Sequence, residues 1–174
     1  MPRFKLQFDA REIPTYAARF SAEGDTEVLA MARAARERGY YTLPEFRAVC
    51  RWKTPRSGPF VARNRAEEVE TTTYVALSDG TTEHDRMRAL RQLLGVEWAT
   101  ASVLLHLAFP DRYPILDVRA LHAFGIRGRQ TYSYRFWLDY VDAFRALVTR
   151  AGVDGRTVDR GLWQWSAEQS EPLS

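Results

Sequence analysis

The residues best suited to chemistry lie in two short runs. Leu93-Leu94-Gly95-Val96-Glu97-Trp98 sets a glycine turn between two apolar helical stretches. Tyr113-Pro114-Ile115-Leu116-Asp117-Val118 then brings a single carboxylate through a proline-marked loop to the start of another helix. A sharp turn leaves the first N–H groups of the following helix without intrahelical acceptors, and with the helix dipole they attract an anion such as a phosphate. Gly95 suits that turn, because glycine adopts positive φ and permits a close backbone approach. An ordinary helix connection with a glycine cap has the same spacing. Asp117 likewise has an ordinary role as N-cap of the helix through Ala120, Leu121 and Phe124. Together, an anion site followed by a carboxylate points to chemistry on a nucleic acid.

The elements that must position these runs are helical. Residues 27–38 carry Val28, Leu29, Met31, Ala32 and Ala35 at helical spacing before Gly39. Pro44 opens a helix through Phe46, Val49 and Cys50 that Pro55 ends. Residues 61–77 form the next helix, from Gly58-Pro59 to the stop at Ser78-Asp79-Gly80. Thr82 with Asp85 caps a helix running through Met87, Leu90, Leu93 and Leu94, which Gly95 interrupts. Residues 99–109 offer almost no polar face and are expected to be central; residues 117–124 follow as a short helix ended by Gly125. Residues 134–150 and 157–168 complete the pattern, the last with Val158, Leu162 and Trp165 on one face. Only residues 5–8 and 40–42 have strand character, so the expected class is all-α.

Composition limits the rest. A chain of 174 residues with 45% hydrophobic content fits one helical domain, 1–174, or two small lobes, with the hairpin and aspartate together in 82–125. No apolar run approaches the ~20 residues of a membrane span. Charges stand where a signal peptide would be apolar, so a soluble, cytoplasmic protein with no membrane partner is expected. The lone Cys50 excludes a four-cysteine iron–sulfur site within one chain. The net charge of +3 hardly predicts a polyanionic partner. Apart from Lys5 and Lys53 its cations are arginines, a bidentate match for phosphate that a general arginine bias would equally produce.

Leu93-Leu94-Gly95-Val96-Glu97 resembles the Leu-Pro-Gly-Val-Gly hairpin of the helix-hairpin-helix DNA glycosylase superfamily, whose members include endonuclease-III-like and 8-oxoguanine-glycosylase-like enzymes. Thr100-Ala101-Ser102 is similar to the Thr-Ala-Asn segment that follows it in endonuclease-III-like members. With no gap, Pro114-Ile115-Leu116-Asp117-Val118 falls where those enzymes have a short apolar run ending in their catalytic aspartate. The resemblance covers residues 87–124. It implies a helix-hairpin-helix glycosylase-like domain, with Asp117 catalytic and Leu94, Gly95, Val96, Glu97, Trp98 and Thr100 contacting DNA. It also implies a monovalent cation on the backbone carbonyls of Arg91, Leu93 and Val96, and no other cofactor.

Such a carboxylate stabilises the oxocarbenium-like charge that builds on the sugar when a glycosidic bond breaks, after the base has flipped into a pocket. Two departures narrow the chemistry. Ala99 stands where lyase-competent members have their Schiff-base lysine, and alanine cannot form an imine. Glu97 replaces the second hairpin glycine and repels a phosphate, while stabilising its helix by about 0.3 to 1 kcal/mol. The expectation is a monofunctional DNA glycosylase that excises a damaged or modified base. A non-catalytic nucleic-acid-binding module and a helical protein-interaction domain are the alternatives.

Other residues have two readings each. Trp98 either stacks on a nucleotide or joins the core. Lys53 ends a helix in solvent unless folding brings its amine to a pocket. His84, His106 and His122 are too scattered for a ligand set, and His106 reads as a core histidine. Arg127-Gly128-Arg129, with Arg119 and Arg135, either follows a nucleic-acid backbone or forms a solvated loop. Trp163 and Trp165 line a pocket or close a core.

Overall fold

The computed structural model describes residues 3–169. Among them are ten α-helices, two short 3-10 turns and no β-strand, so the fold is all-α. The helices gather into two compact units, Ala22–Phe109 and the residues up to Ser21 together with those from Pro110. The segment 82–125 therefore divides, with the hairpin in the first unit and Asp117 in the second.

The unit Ala22–Phe109 contains α2 (Asp25–Arg38), α3 (Leu43–Lys53), α4 (Gly58–Val61), α5 (Ala66–Leu77), α6 (Glu83–Leu90) and α7 (Trp98–Ala108). Every residue of α7 from Thr100 to Ala108 is buried, and it packs against α2, α3, α5 and α6. Fully burying each of its leucines contributes about 1.5–3 kcal/mol, which makes this helix the axis of the unit. Residues 40–42 are not a strand. The Tyr41 N–H donates to Thr73 Oγ1 at 2.9 Å and its buried hydroxyl donates to the Leu104 carbonyl at 2.8 Å. Thr42 caps α3 in a box with Glu45, whose Oε2 accepts the Thr42 N–H at 2.8 Å.

Two expected helices are shorter than their periodicity. The 61–77 stretch leaves the helix after Val61 and resumes at Ala66 as α5, with Asn64 in the break, its side chain bonded to Leu94. The helix begun by Thr82 ends at Leu90, because the residues up to Glu97 turn the chain into α7.

The second unit holds α1 (Ile13–Ala17), α8 (Val118–Ala123), α9 (Tyr134–Ala151) and α10 (Gly155–Glu168). The sequence pattern overlooked α1, which follows a capping box formed by Asp9 and Glu12 and carries Pro14 in its first turn. It packs on α10 where Gly161 leaves room: a Cβ there would stand 2.8 Å from the Ile13 carbonyl oxygen. Residues 5–8 form no strand either. The Lys5 and Gln7 N–H groups instead donate to the carbonyls of Phe124 and Ala123 at 3.0 and 2.9 Å, closing the open end of α8.

Candidate functional site

The hairpin between α6 and α7 is held from outside. Gly95 has φ +78°, and a Cβ added to it would lie 2.8 Å from Val61 Cγ2 and 3.0 Å from the Val61 backbone nitrogen. Both the conformation and the contact demand glycine. Asn64, buried beside it, donates through Nδ2 to the Leu94 carbonyl and accepts the Leu94 N–H on Oδ1, both at 2.9 Å. Nδ2 also donates to the Val61 carbonyl at 2.9 Å, so one amide ties α4 to the turn.

The six residues assigned to DNA occupy different environments. Leu94 is 43% exposed, whereas Val96 and Thr100 are buried. The Thr100 and Thr54 hydroxyl oxygens are 3.4 Å apart. Glu97 is the N-cap of α7 without a side-chain capping bond, and its side chain is 82% exposed. The Arg91 guanidinium lies 3.4 Å from the Glu97 carboxylate and 4.1 Å above the half-buried Trp98 ring. A carboxylate, a guanidinium and an indole thus form one cluster at the hairpin, exposed at Glu97 and half-buried at Arg91 and Trp98.

The proposed cation ligands are compatible with the turn. The Leu93 carbonyl accepts the Val96 N–H at 3.1 Å and keeps a second lone pair. Among the described residues no hydrogen bond ends on the carbonyl of Arg91 or Val96. Among the described residues no group of three His, Cys, Asp or Glu side chains could hold a metal ion.

In the other unit Asp117 is the N-cap of α8, partly buried, with Oδ1 accepting the Arg119 N–H at 2.9 Å. The capping role is therefore real, and it fixes the carboxylate in one orientation. From the next residue, Val118, a cavity of about 260 Å³ is lined by Leu121, Ile126 and Tyr132, with Arg127 and Arg129 among its walls; Asp117 itself is not in its lining. Val118 is 56% exposed at its edge. Burial, and then the charge of Asp117, push the Tyr132 phenol above its ordinary range, so the two groups sense each other. Gln130 pins the loop by donating to the Arg127 and Gly128 carbonyls at 2.8 and 3.2 Å.

The residues with two readings are now placed. Trp165 stacks on Phe8 at 5.2 Å and 11°, and the Arg119 guanidinium lies 5.0 Å over the Trp163 ring. His106 is fully buried in α7, and His122 Nδ1 lies 2.9 Å from Ser166 Oγ in a buried pair. Lys53 is half-buried at the end of α3. Sequence reasoning missed Asn64 and Tyr132. The only signal for Asn64 was an amide residue shortly after Gly58-Pro59, where a helix had just been opened. Tyr132 gave none, because a loop phenol is common.

No protein-family model matches the chain, and comparison with curated proteins and with solved structures finds no significant match.

Proposed function

We propose that the protein is a monofunctional DNA glycosylase of the helix-hairpin-helix type. The observation that carries this reading is Asp117, a partly buried carboxylate fixed at a helix N-cap, whose charge is felt by Tyr132 in the wall of a small cavity. It follows a Gly95 hairpin at the interval found in that superfamily. Its task is to stabilise positive charge on the sugar as the C1′–N bond breaks and the electron pair leaves with the base. Water then bonds to C1′, and its proton passes to the carboxylate or to the departing base. Ala99 offers no amine, so the product is an abasic site with an intact backbone. The hairpin's part is to hold DNA backbone through amide groups, since the Val96 and Thr100 side chains are buried.

The test is single-turnover base release from duplexes carrying a panel of lesions, comparing wild type with Asp117→Asn. Asparagine is as good an N-cap as aspartate, so the variant keeps the helix and removes only the charge. We expect release by wild type and a loss of about a hundredfold or more in the variant. No release by either protein overturns the enzymatic reading.

One observation favours a second reading. Glu97 projects a carboxylate, 82% exposed, where a phosphate would sit, which suits a hairpin that binds a protein. Duplex binding measured at two salt concentrations separates the readings, because phosphate contacts must weaken as salt rises.

A further inference from the structure

The unit containing α9 carries a groove of about 810 Å³ that the glycosylase reading leaves unused. This volume lies within the range of about 300–1,000 Å³ typical of ligand sites. One wall is the run from Phe4 to Phe8, which bends at Gln7 and Phe8 and has Phe4, Leu6 and Phe8 half-buried; the other is α9, with Ala146 and Leu147. Lys5 and Gln7 turn their N–H groups toward the end of α8. Among the described residues neither the Leu6 nor the Phe8 N–H has a hydrogen-bond partner. Unpaired backbone N–H groups beside an apolar trough can take the carbonyls of another chain's backbone.

The rim adds charge. Lys5, Arg11 and Arg150 line it, and Asp9 is its one acid, already held by Arg11 at 2.5 Å. Two positive charges remain in excess. The aromatic faces inside are taken, Phe8 by Trp165 at 5.2 Å and Phe4 by Tyr140 at 5.3 Å. Edge contacts from Tyr16 to Phe8 and from Phe124 and Phe136 to Phe4, with Phe124 itself buried, leave bases of a single-stranded nucleic acid little ring surface to stack on. We propose that this groove docks an extended segment of a partner protein in which apolar and acidic residues alternate. Its backbone pairs with the Leu6 N–H, its apolar side chains enter the trough, and its carboxylates meet Lys5 and Arg150.

The probe is a short fluorescein-labelled peptide of alternating leucine and glutamate, titrated into the intact protein. Controls are the same peptide with lysine for glutamate and a labelled oligothymidine. Arg150→Glu should weaken binding of the acidic peptide about tenfold. Ala146→Trp, which fills the trough from an exposed position, should abolish it. In the complex the Leu6 amide should exchange with solvent about tenfold more slowly or better. Lack of binding by about 1 mM peptide, equal affinity in both variants, or unchanged Leu6 exchange each overturns the proposal. Oligothymidine binding that Arg150→Glu abolishes, with no peptide binding, also overturns it and assigns the groove to nucleic acid.

Discussion

Asn64 grips Leu94 by both of its backbone groups, donating to the carbonyl and accepting the N–H at 2.9 Å each, from a buried position. The hairpin is thus shaped by a residue thirty positions upstream rather than by its own sequence alone. Asn64→Ala leaves the backbone groups of a packed turn without their partner and should cost about 1–3 kcal/mol of stability. Asn64→Asp keeps the acceptor for the Leu94 N–H but sets an oxygen against two carbonyls, so it should cost at least as much. Chemical denaturation followed by tryptophan fluorescence measures both. An alanine variant as stable as wild type would mean that the clamp is not formed in solution.

Gly95 answers to two constraints at once. An alanine there must adopt φ near +78° and bring its Cβ to 2.8 Å from Val61 Cγ2 and 3.0 Å from the Val61 backbone nitrogen. A left-handed alanine alone costs of order 1–2 kcal/mol, and the backbone nitrogen cannot step aside. Gly95→Ala should therefore destabilise by more than 1–2 kcal/mol, about as much as the Asn64 variants. Because both substitutions strike the same turn, the double variant should cost less than their sum. Additive losses in a double-mutant cycle would contradict that coupling.

Part of this fold can be read from the chain. Thr82 and Asp117 each cap a helix as their positions suggest, and the apolar run of α7 identifies the axis of its unit. Local signals fail where the deciding partner is distant. Residues 61–77 have continuous helical periodicity, yet the helix is broken between Val61 and Ala66, where the Asn64 amide bonds Leu94. Residues 5–8 alternate like a strand, yet what their amides meet is the carbonyl end of α8. The hairpin and Asp117 were legible as a motif. The Arg91–Glu97–Trp98 cluster and the Tyr132 wall were not, because side-chain direction in a turn has no periodicity to betray it.

Glu168 and Arg19 join the end of α10 to the residues after α1, with N–O distances of 2.8 and 2.7 Å. The guanidinium, aided by Gln164, lowers the Glu168 carboxyl from 4.5 to about 2. A depressed folded-state pKa means that the unfolded chain binds the extra proton first, so stability falls as pH drops from about 5 toward 2. Glu168→Gln removes that proton uptake and should flatten the acid limb of stability against pH. The two proteins should differ most near neutrality, where the carboxylate is charged, and converge near pH 2, the difference staying small throughout because exposed pairs are screened by solvent and salt. Denaturant midpoints measured through this range test the claim, and parallel acid limbs would contradict it.

Glu97 is the residue whose substitution should move stability and binding in opposite directions. As N-cap of α7 its charge favours the helix dipole, so Glu97→Gln should cost about 0.3–1 kcal/mol. The same change removes a carboxylate from the mouth of the hairpin and releases Arg91, now 3.4 Å from it. If the hairpin grips phosphate, duplex affinity should rise about threefold to tenfold, and the slope of log affinity against log salt should steepen by about one contact. Arg91 is expected to keep its place over Trp98, where cation–π attraction persists without the carboxylate. Fluorescence anisotropy at several salt concentrations, paired with thermal melts, reads both quantities. An affinity that stays level or falls along with stability would count against phosphate at this hairpin and favour the protein-binding alternative.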